Sequence, residues 1–413
     1  MHTLDIITRI SPSHKRAPHT QSLELIKDSR GAIIDQTMIV FHPGPNSYTG
    51  EDLAEISCHG NPLVVERIMG TISLTGLARL AHKGEFTRRA FLNHKMDLVQ
   101  AEAVGALIGS SSLAGCEMAH ALLKGELSGR IKAMIEAILV LLADIEASFI
   151  TEDESIGHDV LLEELTHITS QISGLLKDAT EAKGIYEGIV TTIAGLPNVG
   201  KSSLFNAILG YNRAIVHHEE GTTRDVLREH LNLGGIDFVF HDTAGIRETT
   251  SGPERIGVEK TIETLKASNL VLYVVDAREG IKAQERQWLA LADKTIVVMN
   301  KKDLVEGAVH AAPGYDMVCI SAKFALGIDE LLTAMRQAFP HDQPLVFLDR
   351  HAYLLGKALG SLKSCLNAIQ EGFTADVLTI DLKHALDHLR QMTGETADED
   401  ILERIFSRFC IGK

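Results

Sequence analysis

Hydrophobic and polar positions follow two different periods along this chain. Short runs of β-branched and aromatic residues lie at 188–194, 238–241, 295–300 and 318–320. Each is followed by a glycine or a polar segment, and this pattern predicts buried strands. Between Lys95 and Glu181, and again from Leu354 to Leu389, apolar residues instead recur at spacings of three and four. These two regions are therefore predicted to be helical.

The first 94 residues mix both patterns. Runs at Leu4–Ile10, Gly31–Phe41 and Asp52–His59 predict strands, with turn residues from Pro43 to Asn46 between the last two. A helix is predicted from Asn61 to Met69. This region is therefore expected to form a small α/β domain.

We predict four segments from these patterns: an N-terminal α/β domain (1–94), the first part of a helical domain (95–185), a strand-and-helix domain (186–340) and a second helical part (341–413). The fold class is thus α/β combined with all-α in a multidomain chain. We favour insertion of the third segment into a single helical domain. The alternative is two separate helical domains.

Composition limits the class of protein. The 413 residues can form two or three domains, and 45% hydrophobic content can supply their cores. The net charge of −15 argues against a broad nucleic-acid-binding face, although a local basic site stays possible. Five scattered cysteines without a C-x-x-C pair argue against disulfides or a zinc site. No apolar run is long enough for a bilayer and no signal-peptide pattern is present, so we expect a cytoplasmic protein.

The chemistry of the third segment begins at Gly195–Ser202, which reads Gly-Leu-Pro-Asn-Val-Gly-Lys-Ser. A strand, a glycine-rich turn and a helix in this order are typical of a phosphate-binding P-loop. Lys201 can reach the β- and γ-phosphates of a nucleotide, and the Ser202 hydroxyl can ligate Mg²⁺. A chance glycine-rich turn is disfavoured by this context.

Three later signals select the nucleotide. Phe238 to Gly245 is a strand followed by Asp-Thr-Ala-Gly, in which Asp242 is suited to the outer shell of Mg²⁺. Asn300-Lys301-Lys302-Asp303 follows another strand, and an Asp here can accept two hydrogen bonds from guanine but not from adenine. Ser321-Ala322-Lys323 can close over the base. These motifs predict a GTPase.

The hydrolytic machinery requires another water-orienting group, because Ile246 follows Gly245 where Ras-like enzymes carry a Gln. Arg247, Glu248 and Glu254 are candidates to replace it, and the alternative for each is a solvated loop charge. Thr223 is our candidate for completing the Mg²⁺ shell. Arg224 is a candidate cationic finger or a surface salt bridge. Asn198 can ligate a monovalent cation or merely form the turn.

Several further stretches resemble the MnmE (TrmE) family of tRNA-modification GTPases. They are 44–52, Gly84–Asn93, Asp97–Ala103, Gly221–Asp225, Glu254–Gly257 and the terminal Phe409–Lys413. The resemblance covers nearly the whole chain. It implies an N-terminal folate-binding domain that forms a homodimer, a helical domain, and a Ras-like P-loop GTPase domain inserted into the helical domain.

The resemblance also implies an activity. Family members work with the flavin protein MnmG, which carries the FAD. They add an aminomethyl-type group to carbon five of the wobble uridine of certain tRNAs, with a reduced folate as the one-carbon source. GTP hydrolysis is expected to depend on Mg²⁺ and K⁺, with two GTPase domains pairing across their nucleotide faces.

Site residues carry over position by position. Arg9, Glu55, Lys95 and Lys413 resemble the folate contacts, and Cys410 matches a cysteine implicated in the modification. Its alternative is a small buried residue. Glu254 matches the water-orienting residue, with Arg247 a further catalytic candidate. The K⁺ ligands would be Asn198, His217, Glu219 and Thr222, and the Mg²⁺ ligands Ser202 and Thr223. The expected GTP contacts are Asn198, Val199, Gly200, Lys201, Ser202, Ser203, His217, Thr222, Thr223, Asp242, Thr243, Ala244, Gly245, Asn300, Lys301, Asp303, Ser321, Ala322 and Lys323.

The sequence departs from the family pattern at its start. The family normally has a strand and a glycine-rich turn ahead of the segment that resembles Leu4 to Ser11, and here the chain starts almost at that segment. We therefore expect a shortened N-terminal domain, or one of which part lies outside this sequence. A regulatory GTPase switch, such as a ribosome-assembly factor, is the alternative function. A helical scaffold with a vestigial GTPase is disfavoured by the intact motifs.

Overall fold

The structure is a computed structural model that describes residues 2–12, 17–151, 158–177, 179–211, 229–240, 262–283, 285–307, 313–340, 345–371, 373, 375–410 and 412. Its described helices are α1 Thr3–Ile10, α2 Pro62–Leu74, α3 Glu85–Leu92, α4 Leu98–Gly109, α5 Leu113–Leu123, α6 Glu126–Thr151, α7 His158–Lys177, α8 Ala179–Glu187, α9 Lys201–Tyr211, α10 Arg286–Leu289, α11 Ile328–Gln337, α12 Asp349–Gln370, α13 Ala375–Thr393 and α14 Glu399–Phe406.

The described strands form two sheets. The strands are β1 Ser22–Lys27, β2 Ile33–His42, β3 Leu53–Ser57, β4 Ile189–Ala194, β5 Glu229–Leu233, β6 Ile236–Phe240, β7 Leu270–Asp276, β8 Thr295–Asn300 and β9 Asp316–Cys319. The chain divides into two compact units, one of residues 1–105, 122–152 and 379–413 and one of residues 106–121 and 153–378.

The first unit contains the small antiparallel sheet β1-β2-β3. Five isoleucines from α1, α2 and the sheet form its core, and they are Ile7, Ile10, Ile26, Ile39 and Ile68. A second cluster joins the start of α4 to the end of the chain through Leu98, Ala101, Leu402, Phe406 and Phe409. The last helix is thereby held beside α3 and α4.

One strand prediction in this unit is wrong, because residues 4–10 lie in the helix α1. Ile7 and Ile10 are both buried, three residues apart, while Leu4 and Arg9 are exposed. That spacing is helical. The β-branched residues favoured a strand, but burying Ile7 and Ile10 on one helix face outweighs their weak intrinsic preference. Strand β1, which the sequence patterns did not identify, pairs with β2 instead.

The second unit is built on a six-stranded sheet of order β5-β6-β4-β7-β8-β9. Strand β5 is antiparallel to β6, and the other neighbours are parallel. Strand β7 is buried along its whole length, and β8 is buried from Ile296 to Asn300. A strand buried on both faces has a continuous apolar run, which explains why the pattern identified β8. Strand β7 has the same character, and the sequence patterns did not identify it. The carboxyl ends of β7 and β8 share one edge of the sheet.

No helix among the described residues has the length and apolar character needed to cross a bilayer.

Glu85, in the first turn of α3, is held by unusually many donors. Its carboxylate accepts hydrogen bonds from Arg79 at 2.8 and 2.9 Å, from the His82 N–H at 2.8 Å and from Arg89 at 2.6 Å. Arg79 is the largest cause that lowers the pKa of Glu85 from 4.5 to about 2, and the His82 N–H and Arg89 lower it further.

We predict that Glu85→Gln destabilises this region in a pH-dependent way. Because the folded-state pKa is depressed, the stabilisation is complete above the ordinary value of 4.5 and is lost as the pH falls towards about 2. The loss near neutral pH should be about 1 kcal/mol, since the arginines are partly exposed. Hydrogen exchange of the α3 amides in variant and wild type should differ most at neutral pH and least at pH values well below 4.5.

The matched control is Glu66→Gln, which changes an exposed glutamate on α2. It should leave the protection of α3 unchanged throughout the pH range. A Glu85→Gln difference that stays constant down to the acid end would contradict the assignment of this pKa.

Candidate functional site

The loop between β4 and α9 turns tightly at two glycines. Gly195 and Gly200 have φ angles of 141° and 99°. A Cβ atom at Gly195 would lie 2.3 Å from the carbonyl oxygen of Val274, and one at Gly200 would lie 2.3 Å from Nδ2 of Asn300. Only glycine fits at these positions. The loop therefore packs directly against the ends of β7 and β8.

Lys201, the first residue of α9, folds back over this loop. Its ammonium donates to the carbonyl oxygens of Gly195 at 3.0 Å and Leu196 at 2.8 Å. Burial lowers the pKa of this lysine. A phosphate at the helix N-terminus would offer the ammonium charged oxygens in place of neutral carbonyls, and such charge-assisted bonds are stronger. The arrangement suits a lysine that binds phosphate.

Asn300 joins the loop to the segment that follows β9. It ends β8 and is only 3% exposed. Its Nδ2 donates to the carbonyl oxygen of Val199 at 2.9 Å, and its Oδ1 accepts from the N–H of Ala322 at 3.0 Å. One buried amide therefore connects the P-loop, the end of β8 and the segment after β9.

Two further residues of the predicted base-reading motif, Lys301 and Asp303, lie at the same edge of the sheet. Lys301 has a φ of 64° and donates from Nζ to the carbonyl oxygen of Asn198 at 2.7 Å. Asp303 accepts at 2.5 Å from the hydroxyl of Ser321, which is buried. The hydrogen bond from Ser321 fixes one carboxylate oxygen of Asp303. The structure thus assembles P-loop and base motif on one surface.

Asp276 is a residue of this network that the sequence motifs did not identify. It ends β7, is 5% exposed, and its carboxylate accepts from Arg278 and from Lys301. The hydrogen bonds from Arg278, followed by those from Lys301, hold the pKa of Asp276 well below its usual range. Its only signal in the sequence is an Asp directly after an apolar strand, the same signal that marked Asn300.

The described part of the predicted nucleotide site comprises Asn198, Val199, Gly200, Lys201, Ser202, Ser203, Asn300, Lys301, Asp303, Ser321, Ala322 and Lys323, all at this edge or in the first turn of α9. Asn198 has a φ of 62°, and its side chain is exposed without a hydrogen bond to any described residue. The remaining predicted residues lie outside the described residues: His217, Glu219, Thr222, Thr223, Arg224, Asp242, Thr243, Ala244, Gly245, Arg247, Glu248, Glu254 and Lys413.

The predicted folate contacts that the structure describes each have a different polar partner. Arg9 donates to the carbonyl oxygen of Thr75 at 3.5 Å, and Lys95 donates to that of Pro45 at 3.0 Å. Glu55 lies 3.9 Å from Nε2 of His42. All three side chains are exposed. They remain candidate contacts, and the described residues show no hydrogen bond that joins them.

A cavity of about 400 Å³ in the same unit is lined by other residues, among them Ile7, Asp52, Arg79, Glu85 and Arg89. Arg9, Glu55 and Lys95 are not part of its lining. Cys410 is exposed, and its carbonyl oxygen accepts from the N–H of Gly84 at 3.4 Å. The alternative of a small buried residue at Cys410 is therefore wrong, and its chemical role stays a prediction.

P-loop nucleotide-binding proteins have a glycine-rich loop between a parallel strand and the helix that follows it. They also carry polar side chains at the carboxyl ends of the next parallel strands. The second unit belongs to this class by its fold and by the contacts of Lys201 and Asn300.

Comparisons with known proteins give the family. A model of the MnmE helical domain matches residues 98–410, and a model of the GTP-binding protein TrmE N-terminus matches residues 1–95. Proteins named tRNA modification GTPase MnmE are similar over nearly the whole chain. That of Heliobacterium modesticaldum is 40% identical in an alignment of length 420 that covers 96% of this chain and 90% of that protein. That of Moorella thermoacetica is 40% identical, and the similarity covers 96% of this chain and 89% of that protein. That of Aquifex aeolicus is 38% identical, with 99% and 94% covered.

The chain therefore belongs to the MnmE (TrmE) family of tRNA modification GTPases. The predicted resemblance and fold class are confirmed: a TrmE-type N-terminal domain, an MnmE helical domain and a P-loop domain. The helical-domain match begins before the six-stranded sheet and ends after it, as insertion requires.

We predict that Gly200→Ala lowers nucleotide affinity about tenfold or more. A side chain here meets Nδ2 of Asn300 and must hold a φ of 99°, so the loop has to shift or be strained. The measurement is equilibrium binding of a fluorescent GDP. The control is Gly210→Ala in α9, the helix that follows the loop, where nothing lies within 4 Å of a new Cβ. Equal losses in both variants would show that the effect is not specific to the loop.

Proposed function

We propose that this protein binds and hydrolyses GTP as part of the modification of carbon five of the wobble uridine of tRNA. The observation that carries the nucleotide half of the proposal is the buried amide of Asn300, which ties the P-loop to the segment expected to cover the base. Family membership supports the tRNA half.

Guanine selection is assigned to Asp303. A carboxylate held at one oxygen by Ser321 keeps further lone pairs for the N1–H and 2-amino donors of guanine. Adenine offers no such pair, so a carboxylate covered by that base would be left without its partners. Ala322 and Lys323 are proposed to close over the base.

Phosphate binding is assigned to the loop and Lys201. The backbone N–H groups at the start of α9 and the lysine ammonium are the donors for the phosphate oxygens. Ser202 is exposed at the first turn of α9, and its hydroxyl suits the oxygen-preferring Mg²⁺. Thr223 is the proposed second ligand and Asp242 the proposed outer-shell residue. Bound Mg²⁺ would neutralise charge on the phosphates.

Hydrolysis is proposed to depend on K⁺. The left-handed backbone of Asn198 leaves its side-chain amide exposed beside the loop, and an amide oxygen is a suitable ligand for a hard cation. His217, Glu219 and Thr222 would complete the site, and the ion would supply positive charge where an arginine finger otherwise does. Glu254 is proposed to orient the water, with Arg247 as a further catalytic residue.

The N-terminal domain is proposed to form the homodimer and to bind a reduced folate through Arg9, Glu55, Lys95 and Lys413. The exposure of the first three side chains leaves them accessible to a ligand. MnmG is the proposed partner and supplier of FAD, and Cys410 is proposed to take part in the modification. We expect the complex to work in the cytoplasm.

The first experiment compares GTP turnover in potassium and sodium salts of equal ionic strength. We expect turnover about 10²-fold faster in potassium, because the ion supplies transition-state charge stabilisation. Asn198→Ala should remove most of the difference, while Asn206→Ala, on the exposed side of α9, should keep it. Equal rates in both salts, with GTP still bound, would leave a GTPase without a cation site and favour the regulatory-switch alternative.

The second experiment tests the reading of the base. Asp303→Asn keeps an oxygen for Ser321 but loses a charged acceptor for guanine, so GDP affinity should fall about 10- to 100-fold. Affinity for xanthosine diphosphate should rise relative to GDP, since the amide can donate to the 2-oxo group. The control is Asp293→Asn, an exposed residue at the opposite edge of the sheet. Unchanged GDP affinity in Asp303→Asn would refute the assignment.

A further inference from the structure

Asp276 is a buried charge at the nucleotide site to which the proposed mechanism gives no role. Its side chain is 6% exposed, at the carboxyl end of β7. Burying a carboxylate costs free energy unless it is paired and hydrogen-bonded. Here three groups satisfy it: the Arg278 side chain at 2.9 and 2.6 Å, the Arg278 N–H at 3.1 Å, and Nζ of Lys301 at 2.9 Å.

The contact with Lys301 leads into the P-loop. The same ammonium that touches Oδ2 of Asp276 donates to the carbonyl oxygen of Asn198 at 2.7 Å. A lysine has a flexible four-carbon stem, so its ammonium takes one position only when partners hold it. Asp276 supplies a fixed, charged partner for this ammonium. The ammonium in turn holds the carbonyl oxygen of Asn198 in the loop.

The Arg278 contact alone does not explain this carboxylate. Arg278 is 48% exposed, so the guanidinium can be hydrated without a partner. Lys301 is 28% exposed and lies between the two residues that it joins. The asymmetry indicates that the buried end of the network, from Asp276 through Lys301 to the loop, is where the geometry is determined.

We propose that Asp276 is a positioning residue for guanine-nucleotide binding, which acts through Lys301 to hold the P-loop at Asn198. The proposal rests on the proposed GTP-binding function. Neutralising Asp276 frees the ammonium, the loop loses one of its two connections to the β8 motif, and bound nucleotide dissociates faster. Simple electrostatics makes the opposite forecast, because removing a negative charge near the phosphates should tighten binding.

The experiment is a double-mutant cycle on the full chain, with equilibrium affinity and dissociation rate of a fluorescent GDP as readouts. The variants are Asp276→Asn, Lys301→Met and both together. Asp276→Asn should weaken GDP binding about tenfold, mainly through faster dissociation. Lys301→Met should weaken it at least as much. The double variant should be no weaker than Lys301→Met alone, because the aspartate acts through the lysine.

The matched control is Arg278→Gln, which removes the other charged partner of the same carboxylate. It should stay within about twofold of wild type in GDP affinity, since the Lys301 contact is kept. A merely structural role of Asp276 at the β7 turn would instead weaken Arg278→Gln as much as Asp276→Asn, and the losses of the cycle would add.

Three results would overturn the proposal: unchanged or tighter GDP binding in Asp276→Asn, additive losses in the cycle, or an equal loss in Arg278→Gln. If circular dichroism shows that Asp276→Asn does not fold, Asp276→Glu replaces it in the cycle, because it keeps the charge but displaces the carboxylate by one methylene. A wild-type protein that binds no GDP would contradict the proposed function itself, and this outcome is distinct from the other three.

Discussion

The buried hydrogen bonds of Asn300 are the interaction on which the nucleotide site depends. A side-chain amide has donors on one side and an acceptor on the other, so one residue can join two separate backbone segments. Because Asn300 is almost fully buried between Val199 and Ala322, leaving either bond unmade would cost the full desolvation of a polar group. The P-loop and the segment after β9 are thereby constrained to a single relative position.

That constraint is possible only because of the parallel sheet. Strands β4, β7, β8 and β9 all run in one direction, so the residues that follow their carboxyl ends meet along one edge. The close approach of Gly200 to Asn300 follows from the same packing, since a side chain at that position has no space. Fold and site are therefore linked through backbone proximity, and the polar side chains complete an edge that the apolar strands have already aligned.

Local chemistry explains how much could be predicted from the sequence. Glycine spacing, the lysine at the helix start and the polar residues after apolar strands identified Gly195 to Ser202, Asn300 and Asp303, because each carries its signal within a few residues. The strand prediction at 4–10 is wrong because a short β-branched run satisfies both patterns, and the burial of Ile7 and Ile10 on one face decides for the helix. The contact of Asp276 with Lys301 could not be predicted, because the two residues are 25 positions apart in sequence and only the sheet brings them together.

The distribution of charge at the strand ends shows how two lysines at one site can have different roles. The ammonium of Lys201 donates hydrogen bonds to two loop carbonyl oxygens. The ammonium of Lys301 donates to one loop carbonyl oxygen and to the carboxylate of Asp276. Neither ammonium is left buried without partners, which would be costly. The two differ in what opposes their release, since Lys201 leaves only neutral oxygens, whereas Lys301 would have to leave a buried carboxylate. A phosphate can therefore bind the ammonium of Lys201 at little cost in free energy, while Lys301 keeps its contacts. One lysine then binds the ligand, and the other holds the conformation of the loop.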